Sequence, residues 1–508
     1  MKSLVAVIAC VFSPVVLAAP PPAPELSVAA TDIRQLEFSW ESVPGVARYE
    51  LWFRSAPGGQ WGKYTEQSAQ RATLFRISVP VHLLDWRVAR YLVKACNPSG
   101  CTASNEVGVD GLPLTAIGFF KPYSAVAQQH FGSHIALSAD GTAMAVLASE
   151  TLGASQNSVV LYVYRKTTSS SGWRREARLI PSVAQRNTSE PFLGDPIAIS
   201  GDGNLIALGV FKERQPGANT PRETGAVYLF QRGNTAWTIA QKLTRDSYEG
   251  DQFGFAVKLD DAARTLVVSH GPGTLEIYRT TGNNPFAYDG TLPVPTAADG
   301  YAGCRGIALS GDGGTLLRGC LRPPLGHRVQ IFTGPGFNEV TTAPGGSTDG
   351  YDISYDGTLF LVQDGGWADA WRRGPGGLTA EASLSNFDEG LHYSRKHIAL
   401  SRDGKIAAIG NWIDDTAGMG PVYFNYPRGE TPSGVVVIHE RKGESNWVIR
   451  RAIKPGSMNV GWFGDTVALG NNGRILAVGA PNDPSNASGI DGDRDDSSAP
   501  ERGAVWLY

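Results

Sequence analysis

The chain has 508 residues, 42% of them hydrophobic, with 45 Lys and Arg against 48 Asp and Glu and a net charge of −3. That balance supports a sizeable core and excludes a disordered chain and a basic nucleic-acid binder. Sixty-one glycines and abundant aromatic residues point to many short strands joined by tight turns, and argue against a long coiled coil.

Residues 1–19 read as a secretory signal peptide. Lys2 supplies the positive start, Leu4 to Leu17 form a short apolar run broken by Ser13 and Pro14, and Val16-Leu17-Ala18 ends on a small residue suited to cleavage. Cleavage would free a Pro-rich start over residues 20–24. The run is too short and too broken for a membrane span, and no later stretch is long and apolar enough for one. The expected location is therefore outside the cytoplasm: periplasm, cell surface or medium.

Cysteine placement agrees with export. Cys10 leaves with the signal, and Cys96, Cys101, Cys304 and Cys320 remain. Cys96 and Cys101 flank the turn sequence Asn97-Pro98-Ser99-Gly100. Cys304 and Cys320 are centred on Ser310-Gly311-Asp312-Gly313, also a turn. Each pair is expected to face across a hairpin as a disulfide.

Residues 25–112 alternate as short strands. Leu36, Phe38 and Trp40 share one face; so do Tyr49, Leu51 and Phe53, then Phe75, Ile77 and Val79, then Tyr91, Val93 and Ala95. Turn sequences fall between them, which fits a small β-sandwich. Ser39-Trp40-Glu41, Val43-Pro44-Gly45-Val46-Ala47-Arg48-Tyr49-Glu50-Leu51 and Tyr91 to Cys101 resemble a fibronectin type III domain. The corner tyrosine of that family is absent, with Ala89 in its place. The resemblance implies a spacer or binding module.

Residues 113–508 repeat. A Ser-x-Asp-Gly turn recurs at Ser138–Gly141, Ser200–Gly203, Ser310–Gly313, Ser354–Gly357 and Ser401–Gly404, with degenerate copies at Asp260–Ala263 and Gly470–Gly473. A later apolar strand recurs in step: Val159–Tyr164, Gly225–Phe230, Gly273–Tyr278, His327–Phe332, Gly366–Trp371, Gly434–His439 and Gly503–Tyr508, often followed by Trp. Seven such units of four strands each point to a seven-bladed β-propeller. The last copy ends on its third strand. An orphan segment, Ile117 to Ser124, is similar to Arg451 to Ser457 at the end of the sixth copy. Residues 114–121 are thus expected to supply the missing fourth strand and zip the ring.

The Phe-Gly pairs at Phe131-Gly132, Phe253-Gly254 and Phe463-Gly464, with Gly225-Ala226-Val227-Tyr228-Leu229-Phe230 and Gly503-Ala504-Val505-Trp506, resemble the bacterial FG-GAP repeat proteins, whose propeller is related to that of integrin α-subunits. The resemblance implies extracellular binding or adhesion. The calcium-binding form of that repeat has a longer Asp-rich hairpin; these turns are short, so hairpin calcium sites are not implied.

The overall expectation is an all-β chain. The Ser-x-Asp-Gly residues are read as turn-formers rather than catalysts, because Asp bonds the backbone ahead of it and Gly accepts a positive φ. Asp491, Asp493 and Asp495 have the one-three-five spacing of candidate Ca²⁺ ligands, but lack the Gly and Glu that complete such a loop, so a solvated polar loop competes. No other cofactor is indicated. No nucleophile elbow, His-Glu-x-x-His or phosphate loop occurs. The loops between second and third strands are longest in copies six, seven, one and two, and are expected to form a wall along one face. Trp412, Asp414, Asp415, Tyr423 and Tyr426 on the copy-six loop are the candidate ligand contacts. The expected function is non-catalytic recognition of an extracellular protein or glycan; the alternative is a propeller hydrolase or lyase acting on an extracellular polymer.

Overall fold

The computed structural model describes residues 19–68, 73–123, 128–151, 157–167, 172–181, 194–215, 222–245, 248, 250–282, 284–294, 303–323, 326–345, 350–364, 367–385, 398–416, 418–422, 433–458 and 460–508. The signal-peptide expectation therefore lies, apart from Ala19, outside the described residues, as do Tyr423 and Tyr426. Every regular element among the described residues is a strand. The chain divides into two compact units. The second takes Pro113–Tyr508 together with Asp32–Arg34 and Val79–Leu83.

The first unit has two sheets. One orders Ser27–Asp32, Gln35–Ser39 and Leu74–Ser78; the other orders Gly62–Ser68, Arg48–Arg54, Arg90–Asn97 and Gly100–Ala103. The apolar faces read from the alternation bury Leu36, Phe38, Tyr49, Leu51, Tyr91 and Val93. Aromatic rings join the two sheets, Phe38 to Tyr91 at 4.7 Å and Trp40 to Tyr49 at 4.9 Å between centroids. Cys96 and Cys101 face each other in register and are bonded.

Among the described residues the second unit contains seven antiparallel sheets of this repeat, six of four strands and the sixth in chain order of five. In chain order their first strands are Ile135–Leu137, Ile197–Ile199, Val257–Leu259, Gly303–Leu309, Tyr351–Ile353, Ile398–Leu400 and Thr466–Gly470. The seventh sheet takes its outer strand, Gly118–Phe120, from the start of the unit, paired with Ala504–Leu507. Third and fourth strands slip by one residue at Val163/Tyr164, Leu229/Phe230, Ile277/Tyr278, Ile331/Phe332, Ala370/Trp371 and Ile438/His439. A bulge at the same place in six copies strengthens the twist each sheet needs to pack on its neighbour. The first strands of successive sheets touch, and that of the seventh touches that of the first.

The repeat motifs explain these contacts. In each full Ser-x-Asp-Gly turn the Ser hydroxyl donates to the Asp carboxylate and accepts the N–H five residues on, as Ser138 does with Asp140 at 2.7 Å and Ala143 at 2.9 Å. Gly141 sits at φ +70°, where a Cβ is strained. Asp260 stands in for Ser in the third copy, accepting from Thr265 at 2.8 Å. Backbone N–H groups then link turn to turn between sheets: Ala139 to Gly201, Gly201 to Asp261, Asp261 to Gly311, Asp312 to Tyr355, Tyr355 to Arg402, and Asn471 back to Ala139.

Phe-Gly is the second joint. Phe131 donates its N–H to Arg502 O, and Phe253 to Thr224 O, each at 3.0 Å. The backbones approach so closely that a Cβ on Gly503 would lie 2.3 Å from Phe131 O. Each Phe-Gly thus needs a glycine opening the third strand of the sheet before it, and the first copy finds its glycine in the last. The tryptophan after the third strand is a third joint. Trp237 donates its indole N–H to Glu176 at 3.1 Å and Trp447 to Glu381 at 3.2 Å, both carboxylates belonging to the preceding sheet.

Candidate functional site

The Asp residues of the turns are occupied structurally. Burial acts to raise the Asp140 carboxyl, yet hydrogen bonds from Ser138 and Thr142 hold it below the usual range; Asp202 and Asp356 behave alike with their own turn partners.

The described parts of the long loops are tied to their own sheets. In the first copy the strands extend until Thr151 pairs with Asn157, taking half of the ten-residue loop into the sheet. In the second, Arg214–Gln215 pairs with Arg222–Glu223 as a small ribbon. In the sixth, Pro421–Val422 pairs with the outer strand Asn446–Ile453. In the seventh, Lys121 donates its N–H to Gly489 O at 2.8 Å and Asp491 to Phe119 O at 2.7 Å. In each of the two longest loops a described segment pairs with the open edge of its own sheet, a usual remedy for an exposed strand edge.

The bases of these loops are pinned by buried ion pairs. The Asp414 carboxylate lies 2.6 Å from Lys454 Nζ, which has no exposed side-chain surface, and its backbone carbonyl accepts from Ser433 and Gly434. Asp483 takes the same place in the seventh copy, 2.8 Å from Lys121 Nζ, with both side chains almost fully buried. Burial pushes both lysines below, and Asp483 above, their ordinary values. Asp414 is thus turned inward to its lysine. Trp412 packs on Trp462, ring centroids 5.0 Å apart. Asp415 is half-buried next to Asp414. Glu213 with Lys242 at 2.6 Å makes a related pair in the second copy. The shared Lys-Pro of Lys121-Pro122 and Lys454-Pro455 was the sequence signal for these latches.

The candidate calcium ligands do not converge. Asp491 Oδ1 accepts from the Phe119 N–H at 2.9 Å, Asp493 Oδ1 from the Asp495 N–H at 3.1 Å, and Asp495 Oδ1 from the Ser457 hydroxyl at 2.8 Å. Among the described residues, the one cluster of potential metal-binding side chains is Glu50 with Cys96 and Cys101, and the two sulfurs are already bonded to each other. The loop reads as edge cover stitched to the outer strand.

A concave site lies elsewhere, where the loops are shortest. Between the third and fourth sheets a recess of about 550 Å³ opens beside the short connection Gly271-Pro272-Gly273. Tyr248, Gln252, Phe255, Arg305 and His327 line it, and the Cys304–Cys320 disulfide braces one wall. That disulfide joins residues directly opposite in the sheet register. Two disulfides point to an oxidising compartment. Among the described residues no helix is long and apolar enough to cross a membrane.

No protein-family model matches the chain, and no curated protein matches it. Among solved structures it is similar to the β-propeller domain of Cps50 (Swd1) from Myceliophteria thermophila, at 12% identity and TM-score 0.47, covering 75% of this chain and 97% of that one. It is also similar to a functionally unknown protein from Desulfotomaculum acetoxidans, at 12% identity and TM-score 0.39, covering 72% and 95%.

Proposed function

We propose that the seven sheets are the blades of a seven-bladed β-propeller of the FG-GAP type, closed by residues 114–121 and preceded by a fibronectin type III-like module over 25–112. On this reading the exported protein binds an extracellular protein or glycan through the loop end of the propeller and does not transform it. The cyclic contacts of the first strands and the pairing of Phe131 with Gly503 support the ring. The observation that carries the binding reading is the recess between the third and fourth sheets. It offers aromatic, amide, imidazole and guanidinium groups and, among the described residues, no lining carboxylate. That set suits recognition, whereas the rival hydrolase would need paired acids across a cleft.

The test is an array of glycans, cell-surface polymers and extracellular proteins probed with the mature chain, with each hit incubated and analysed for products. Saturable binding with the polymer left intact is the expected result. Release of shortened polymer would favour the hydrolase or lyase instead.

A further inference from the structure

The recess has a chemistry that narrows the ligand. Arg305 is exposed at its edge and makes no ion pair or hydrogen bond among the described residues. His327 also lines it, with Nδ1 buried and unpartnered. Among the described residues no Asp or Glu lines the recess. An Arg left without a partner beside a cavity favours a planar anion, since its fork matches a carboxylate bidentately.

The remaining walls favour a ring. Tyr248 is 60% exposed, and Phe255, packed on Phe211 at 5.5 Å between centroids, also lines the recess. Gly271 and Gly273 line the recess between sheets, and a Cβ on Gly271 would lie 3.1 Å from the Tyr248 hydroxyl, so the ring edge stands over the short connection. The volume, about 550 Å³, suits one or two sugar rings rather than a polymer strand or a peptide helix.

We propose that this recess binds an acidic saccharide, a uronate whose carboxylate pairs with Arg305 while its C–H face packs on Tyr248 and Phe255. The inference rests on the binding reading above and gives it a site and a ligand class.

The probes are trigalacturonate, triglucuronate and trimannuronate, each with its methyl ester, titrated calorimetrically into the full mature chain. At least one acid should bind, and its ester, which keeps the ring but loses the charge, should bind at least tenfold more weakly. Arg305→Gln should weaken the acid at least tenfold and leave the ester unchanged. Tyr248→Ala should weaken both in proportion. Both side chains are exposed, so the melting temperature should hold in each variant. An ester that binds as well as its acid, an unchanged affinity in Arg305→Gln, or no binding of any of the three acids would overturn the inference. Array ligands that bind equally to the parent and to Arg305→Gln would remove this site and leave the general binding function standing.

Discussion

The buried pair of Lys121 and Asp483 gives the sharpest stability test. At 2.8 Å separation, an effective dielectric of about 20 puts their attraction near 6 kcal/mol. Removing both charges from water offsets most of it, because each buried ion loses several kcal/mol of hydration. The pair therefore adds little over an apolar pair, but either partner alone is a buried charge without a counterion. Asp483→Ala should lower stability by about 3–5 kcal/mol, and Lys121→Met by a similar amount at pH 8. The double variant Lys121→Met/Asp483→Ala should recover to within about 1.5 kcal/mol of the parent, giving a coupling energy of at least about 4.5 kcal/mol. Burial already raises the Asp483 carboxyl, and loss of the lysine raises it further. A carboxyl whose folded value is raised loses stability as pH rises from the unfolded value near 3.9 through the folded one. Lys121→Met should thus be less destabilised at pH 5 than at pH 8. Guanidinium denaturation followed by tryptophan fluorescence measures all four proteins. A loss under about 1 kcal/mol in Asp483→Ala, or single losses that simply add, would refute the latch.

Burial pushes His82 down to about 3, with its Nε2 2.8 Å from Gly473 O. The unfolded chain takes up that proton near pH 6.5, so stability should fall by up to about 1.4 kcal/mol per pH unit below 6.5, and His82→Gln should flatten this limb in acid denaturation. Replacing Cys304 and Cys320 with Ala should lower stability by about 3 kcal/mol, and the more closely spaced Cys96–Cys101 pair by about 2 kcal/mol; free thiols in protein isolated without reductant would contradict both pairings. Deleting residues 114–121 removes the outer strand and latch lysine of the seventh sheet. It should cause aggregation or an early melt, and an unchanged melting temperature would refute the proposed closure.

What the sequence disclosed was the chemistry that is local. Ser-x-Asp-Gly closes its turn within five residues, so the motif and its hydrogen bonds are the same object. The cysteine pairs were legible because each flanks a single turn. The site was not legible, for two reasons. Asp414 meets Lys454 forty residues downstream and Asp483 meets Lys121 across almost the whole second unit, so acids that look free on a loop are spent on buried lysines. Loop length does not mark the recess: described segments of the two longest loops pair with strand edges. The recess arises where Gly271-Pro272-Gly273 is short, an absence of chain that no motif marks. Arg305 lies on the first strand of the fourth sheet, within the register shift between Cys304 and Ile307, and only its lack of a partner among the described residues sets it apart.

Binding without turnover is the claim on which the rest depends. The direct measurement is the mature protein held at equilibrium with its best array ligand, with complex and free ligand quantified together over days. The account expects a constant fraction of complex and ligand of unchanged length and mass. Ligand that shortens in proportion to protein and time would contradict it and establish an enzyme.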